Sequence, residues 1–249
     1  MKKHIFILLF SIVILSCENP ADCVKSTGSM VIKEVEVTPF EYIRVYKGIG
    51  LVIKQGENYK VEVRSGENLI DDIEVKVRDN TLFLRDKTTC NWVRDYGQTT
   101  VYITAPNLIE IRSKTEQNIV SDGVLTYPSL NLIALDKDGD GEDGAGTGDF
   151  TLQIDNVNLF IGNNNVSRYY ISGKTNDCFV GFYNGNGIVK AENLEITNFG
   201  LFHRGFNDIH VNVLQSVTGD LYSTGNLVIH SNPSQVEVIQ HYQGRVIYN

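Results

Sequence analysis

Between residues 30 and 85, apolar and polar positions alternate in short runs. Among them are Tyr42-Ile43-Arg44-Val45, Leu51-Val52-Ile53-Lys54, Tyr59-Lys60-Val61-Glu62-Val63, Ile73-Glu74-Val75-Lys76-Val77 and Leu82-Phe83-Leu84. A period of two sends successive side chains to opposite faces, which is the signature of a strand. The breaks between runs (Gly48-Ile49-Gly50, Gln55-Gly56-Glu57-Asn58, Ser65-Gly66-Glu67-Asn68 and Asp79-Asn80) are made of turn formers. The pattern predicts a series of consecutive β-strands. Val101-Tyr102-Ile103-Thr104 adds one more before Pro106-Asn107, and a soft boundary near residue 105 closes this N-terminal strand region, 30–105.

Residues 106–249 carry a longer rhythm. Asn165, Asn186 and Asn207 stand 21 apart, and Asn226 follows after 19; Gly185, Gly205 and Gly225 keep a spacing of 20. The apolar pairs Leu152/Ile154, Leu194/Ile196 and Val236/Val238 fall 42 apart, and Leu130/Leu132 extends that series back by 22. A fixed period of this size predicts short strands stacked as a solenoid, or β-helix, with coils of about 20 residues. The recurring glycines are expected to supply positive φ at corners. The asparagines are expected to stack at equivalent turns, bonding amide to amide and tolerating left-handed angles. Both ends of such a coil expose sheet edges, and a homo-oligomer is one way to cover them.

Composition agrees with an all-β class: five prolines, 22 glycines, and no window of 12 or more residues with a 3.6 period after the leader. The 42% apolar content excludes wholesale disorder, and a net charge of −8 argues against nucleic acid as a partner. At the N-terminus Lys2, Lys3 and His4 precede an apolar run, 5–15, too short to span a bilayer. Residues 1–16 therefore read as an export signal. Ile14-Leu15-Ser16-Cys17 resembles the bacterial lipoprotein cleavage site, which implies an acylated Cys17 holding the chain to the lipid bilayer, with 17–29 as tether. The plainer alternative is an ordinary secretory signal with a chance cysteine. The first reading places the chain in the cell envelope as an outer-membrane lipoprotein, periplasmic or surface-exposed. In that oxidising compartment Cys23, Cys90 and Cys178 can form one pair at most, and their spacing does not suit zinc. Cys178, within Cys178-Phe179-Val180, reads as a buried inert thiol.

Several stretches together resemble the head GIN-domain family of autotransporter adhesins, whose members are often lipoproteins of the Bacteroidetes. They are Phe40-Glu41-Tyr42-Ile43, Gly50-Leu51-Val52-Ile53-Lys54-Gln55-Gly56, Asn80-Thr81-Leu82, Gly219-Asp220-Leu221-Tyr222, Gly225-Asn226 and Val236-Glu237-Val238. Cys90-Asn91-Trp92-Val93-Arg94-Asp95-Tyr96 resembles a stretch of one branch of it. The resemblance covers about residues 30–249. It implies a right-handed parallel β-helix-like superhelix similar to pectin lyases, and a role in adhesion without a catalytic site. The chain departs from the family's Gly-Ser-Gly turns at Gly146-Thr147-Gly148, Gly185-Asn186-Gly187 and Arg204-Gly205-Phe206.

Four constellations carry candidate chemistry. Asp136, Asp138 and Asp140, with Gly141 after them, space their oxygens as an EF-hand loop presents them to calcium, although Thr147 stands where the bidentate Glu belongs. A solvated acidic turn between two coils is the competing reading. Tyr169, Tyr183 and Tyr222 are candidate surface rings for a host glycan or matrix protein, whereas most phenylalanines read as core. Trp92, flanked by Cys90 and Arg94, reads as packing at the junction of the two halves. The acids Asp155, Asp177, Glu192, Glu195, Asp208 and Asp220 keep no common register in the sequence, so an enzyme is not expected. The alternatives to an adhesin are a carbohydrate-active enzyme of polysaccharide-lyase-like shape and a purely structural envelope component.

Overall fold

A computed structural model describes residues 23–88, 95, 97–136, 144 and 146–249. The expected class holds: among the described residues there are seventeen strands in one sheet, 3-10 turns, and no α-helix. The N-terminal strands are β1 (Met30–Val35), β2 (Tyr42–Tyr46), β3 (Ile49–Gln55), β4 (Lys60–Gly66), β5 (Ile73–Arg78), β6 (Thr81–Asp86) and β7 (Thr99–Ala105). Then come β8 (Glu110–Lys114), β9 (Ile119–Leu125), β10 (Ser129–Ala134) and four long strands, β11 (Phe150–Asn163), β12 (Arg168–Phe182), β13 (Ile188–His203) and β14 (Ile209–Leu221). The chain ends in β15 (Leu227–Ile229), β16 (Gln235–Gln240) and β17 (Val246–Tyr248).

Pairing registers divide the sheet into two ladders. The first runs β6, β2, β8, β10, the C-terminal halves of β11 to β14, and β16, all parallel. The second begins with antiparallel β1, β4 and β7, and continues in parallel through β3, β9, the N-terminal halves of β11 to β14, β15 and β17. Each long strand thus serves the second ladder first and the first ladder second. β7 ends at residue 105 and β8 follows it, and both pair with strands of the N-terminal region. β5 and β6 form a hairpin whose turn residues, Asp79 and Asn80, have φ of 46° and 61°. Two positive φ values in sequence match the twist of a tight hairpin, and Asp and Asn tolerate them best.

Alternation explains the core. Ile43, Ile111, Leu132, Ile161, Val180 and Leu201 are successive partners along the first ladder, and all are buried. Leu51, Ile119, Phe150, Tyr169, Val189, Ile209 and Leu227 form the corresponding buried column of the second. Each such side chain contributes roughly 1.5–3 kcal/mol by leaving water.

Three expectations about the repeat are corrected. Leu130/Leu132 and Val236/Val238 do share columns, through Leu159/Ile161, Cys178/Val180, Phe199/Leu201 and Val217/Gly219. Leu152/Ile154 and Leu194/Ile196 belong to the other ladder, where Ile154 aligns with Leu194 through Gly173. The apolar pairs of the two ladders look alike, so the 42-residue spacing mixed them. Second, of the three recurring glycines only Gly185 has positive φ, at 86°. Gly225 is required for space, since a Cβ there would run into the His203 ring and the Asn207 carbonyl, whereas one on Gly205 would only press on the His203 ring at 3.0 Å. Third, the asparagine amides donate to backbone carbonyls and to aspartates rather than up a column of amides. Asn207 Nδ2 donates to the Asn186 carbonyl at 2.7 Å, Asn226 Nδ2 donates to Asp208 Oδ1 at 2.9 Å, and among the described residues no asparagine of this series has positive φ.

His203 fills a fully buried corner position edge-on to Phe182, with ring centroids 5.7 Å apart. The Gly205 N–H donates to Nδ1 at 3.3 Å, which leaves Nε2 to donate to the Asn207 carbonyl at 2.9 Å. That pairing requires a neutral imidazole, and burial holds its pKa below the ordinary 6.5. Stability from this residue is complete above pH 6.5. It falls as pH drops below 6.5, because the unfolded chain takes up the proton first. Urea melts between pH 7.5 and 5 are expected to show a loss with a slope of at most ~1.4 kcal/mol per pH unit for this proton. The slope should flatten in His203→Asn; an unchanged slope would mean that His203 does not carry it.

Candidate functional site

The outer side of the first ladder collects aromatic and neutral polar side chains in adjacent columns. Leu159-Phe160-Ile161 and Cys178-Phe179-Val180 are triplets in which the flanking residues face inward, so the central ring must face out. Phe160 and Phe179 are register partners, and their rings stack at 5.9 Å with planes 7° apart. The next partner in that column is Gly200, and a Cβ there would meet the Phe179 ring at 2.8 Å. Gly162 and Gly181 stand two residues along their strands. A Cβ on the first would meet Phe160 at 2.9 Å, and one on the second would meet the Tyr183 hydroxyl at 2.8 Å. The glycines let these rings lean onto the sheet and expose area rather than stand upright.

The aromatic strip continues along the ladder. Phe202 packs against Tyr183 at 5.7 Å and Tyr222 at 5.0 Å, and Tyr222 stacks on His241 at 4.1 Å with planes 4° apart. His241 Nε2 lies 2.7 Å from Asp220 Oδ1, which fixes the imidazole over the tyrosine ring. Phe179, Tyr183 and Tyr222 remain 41%, 43% and 40% exposed.

Beside Phe160 and Phe179 runs a polar column, Asn158, Asp177, Asn198 and Ser216, each the register partner of the next. Ser216 Oγ donates to Asn198 Oδ1 at 2.8 Å, and Asn198 Nδ2 donates to Asp177 Oδ1 at 3.0 Å. The bonds all run one way, which orients the Asn198 amide and leaves further lone pairs on Asp177 to accept from a ligand. Rings and polar column together line a shallow depression of about 370 Å³ with Asn131 and Thr218.

Of the three tyrosines expected at the surface, the structure brings Tyr183 and Tyr222 together around Phe202 and removes Tyr169. Tyr169 is 0% exposed, stacked on Phe150 at 4.9 Å. The correction follows from parity: Tyr169 is the register partner of inward-facing Phe150, and its neighbour Tyr170 takes the outward position. Phe160, Phe179 and His241 were not anticipated on this face. The triplet parity was the signal that would have found both phenylalanines.

A second depression lies where the long strands pass between ladders, and it is lined by Asp155, Lys174 and Glu195 among others. These three are consecutive register partners, so the acids Asp155 and Glu195 do keep a common register, with Lys174 between them. Lys174 pairs with Asp155 at 3.2 Å and stays largely exposed. The calcium candidates divide. The Asp136 N–H donates to Asn164 Oδ1 at 3.0 Å and its carboxylate accepts from Asn165 Nδ2, whereas Asp138 and Asp140 lie outside the described residues. Among the described residues no group of three His, Cys, Asp or Glu side chains is placed to hold a metal. Cys17, Cys90 and Trp92 also lie outside them. Cys23 is disulfide-bonded, while Cys178 is a free buried thiol whose pKa burial pushes up to about 12, which keeps it protonated and unreactive. No described helix is long and apolar enough to cross a membrane.

Comparison with known proteins places this architecture. A crystal structure described as a putative adhesin from Bacteroides fragilis is similar with a TM-score of 0.79 at 18% identity, covering 90% of this chain and 99% of that one. A putative adhesin from Parabacteroides distasonis gives 0.63 at 14%, covering 90% and 99%. A protein described as lipid binding, from the same species, gives 0.60 at 13%, covering 89% and 98%. At these identities the likeness is one of fold. No curated protein matches the chain. Residues 39–233 match the family described as "Putative auto-transporter adhesin, head GIN domain". With most of the chain matched by that family, the protein belongs to the head GIN-domain family.

Proposed function

We propose that this chain is a non-catalytic recognition protein of the cell envelope, held at the membrane by an acylated Cys17 and binding its target through the outer side of the first ladder. Family membership supports adhesion as the role. The observation that carries the reading is the open strip of leaning aromatic rings beside an oriented polar column, since rigid rings with polar neighbours offer contact area at little entropic cost. The parallel pairing of β10 to β17 at shifts of 17–29 residues supports a right-handed, pectin-lyase-like β-helix as the scaffold. Against an enzyme, Lys174 is tied to Asp155 and open to water, an unfavourable setting for a proton acceptor.

The test is a screen of residues 18–249 against glycan and extracellular-matrix arrays, with and without calcium. Saturable, selective binding is expected, and calcium dependence would promote the loop at Asp136, Asp138 and Asp140 to a metal site. Silence on both arrays would overturn the recognition role. The anchor is tested separately by fractionation: wild type is expected with membranes and Cys17→Ser in the soluble fraction, and a membrane-bound Cys17→Ser variant would retire the lipid anchor.

A further inference from the structure

We propose that the outer side of the first ladder binds an extended, uncharged glycan, with sugar rings resting on Phe160 and Phe179 and their hydroxyl edges bonded to Asn158, Asp177, Asn198 and Ser216. The inference rests on the recognition reading above and gives it a ligand class.

Three features of the face select that class. A pyranose has an apolar face of C–H groups and a rim of hydroxyls, so it needs an aromatic surface with hydrogen-bonding groups along one side. Here the rings of Phe160 and Phe179 are parallel within 7° and lean onto glycines, and the polar column runs alongside them in the same repeats. Second, the polar groups are of mixed capacity. Asn158 and Asn198 amides donate and accept, Ser216 does both, and Asp177 accepts only, which suits hydroxyls that themselves do both. Third, the charge is wrong for acidic polymers. Asp177, Asp220 and Glu237 lie on this side of the ladder along the strands that carry the rings, whereas Arg44 and Arg112 lie on the more distant β2 and β8, so in a protein of net charge −8 a polyanion is disfavoured at the rings. The repeat of the platform also favours a chain over a single sugar. Phe160, Phe179, Phe202, Tyr222 and His241 come from successive passes of the chain through the first ladder, which places a ring on each. Neighbouring strands lie about 4.8 Å apart, and Phe202 pairs with Gly181 rather than Gly200, so the strip crosses one strand per ring while shifting two residues along the strands after Phe179.

The experiment is affinity electrophoresis of residues 18–249, which contain the whole described sheet, in gels carrying galactomannan, xyloglucan, β-1,3-glucan or polygalacturonate, followed by calorimetry on any retarding polymer. At least one neutral glycan is expected to retard the protein, and polygalacturonate is not. Phe179→Ala and Asn198→Ala should each weaken binding at least tenfold, Phe179→Trp should keep it, and Tyr170→Ala, an exposed ring on the other ladder, should leave it unchanged. Thermal melts of each variant separate lost binding from lost folding. Failure of every neutral glycan to retard the protein would overturn the proposal, as would binding that a folded Phe179→Ala variant retains. Saturable binding to an arrayed matrix protein without any glycan would sink the ligand class while leaving the recognition role standing.

Discussion

Gly219→Ala is expected to lower stability by about 2–5 kcal/mol, the sum of a backbone term of roughly 1–2 kcal/mol and an overpacking term of roughly 1–3 kcal/mol. Gly219 sits in the first ladder with φ at 135°, a conformation that a Cβ opposes. The same Cβ would be driven into the Leu201 carbonyl on the neighbouring strand and would lie 2.8 Å from the Leu201 nitrogen. Those atoms belong to the ladder itself and cannot move aside as a flexible side chain would. Two other glycines separate the two terms. Gly123 has φ of 89° with nothing within 4 Å of where a methyl would stand, so Gly123→Ala isolates the backbone term. Gly225 has no positive φ but borders His203 and two carbonyls, so Gly225→Ala isolates the crowding. Thermal melts should rank Gly219→Ala lowest, with a fall in Tm of roughly 4–20 °C at about 2–4 °C per kcal/mol for a domain of this size. A Gly219→Ala variant no worse than Gly123→Ala would show that the two ladder strands separate readily, and the close approach would then carry no weight.

Tyr169 is expected to respond in opposite directions to two substitutions. Its ring is sandwiched in the second-ladder column, 4.9 Å from Phe150 and 6.2 Å from Phe182. Tyr169→Ala empties that position and should cost about 3–5 kcal/mol, the usual loss for a large buried aromatic. The hydroxyl is a different matter. It is buried with no protein group in hydrogen-bonding range, and burial raises its pKa. Leaving such a group unsatisfied costs about 1–3 kcal/mol, so Tyr169→Phe should raise stability, by about 1 kcal/mol or more. Urea unfolding of the three proteins measures both effects. A destabilised Tyr169→Phe would mean that the hydroxyl has a partner after all. Neither substitution should alter ligand binding at Phe179, because the Tyr169 ring faces the core.

The contrast between Tyr169 and Tyr170 shows how far the sequence could be read. Both are aromatic, adjacent and in a strand, and composition offers no reason to prefer either for the surface. The choice depends on which face of β12 meets the core, and that is set by pairing with Phe150 on the preceding strand. The same dependence explains Phe160 and Phe179, which face out although most phenylalanines read as core from residue type. Glycines mislead in a related way. A recurring Gly announces that a side chain is excluded, but whether by positive φ, as at Gly185, or by a neighbour's atoms, as at Gly225, is a property of the stacked repeats.

By itself the sequence determined the β class, the turn at Asp79-Asn80 and the family, because alternation, turn chemistry and motif residues are local quantities that a chain carries along its length. The tertiary structure decided which of two ladders each apolar pair joins, which rings lie outside, and which acids share a column. Those are questions of register, and register is fixed only when one strand's side chains meet those of a strand some twenty residues away; a shift of one residue exchanges every inward side chain for an outward one.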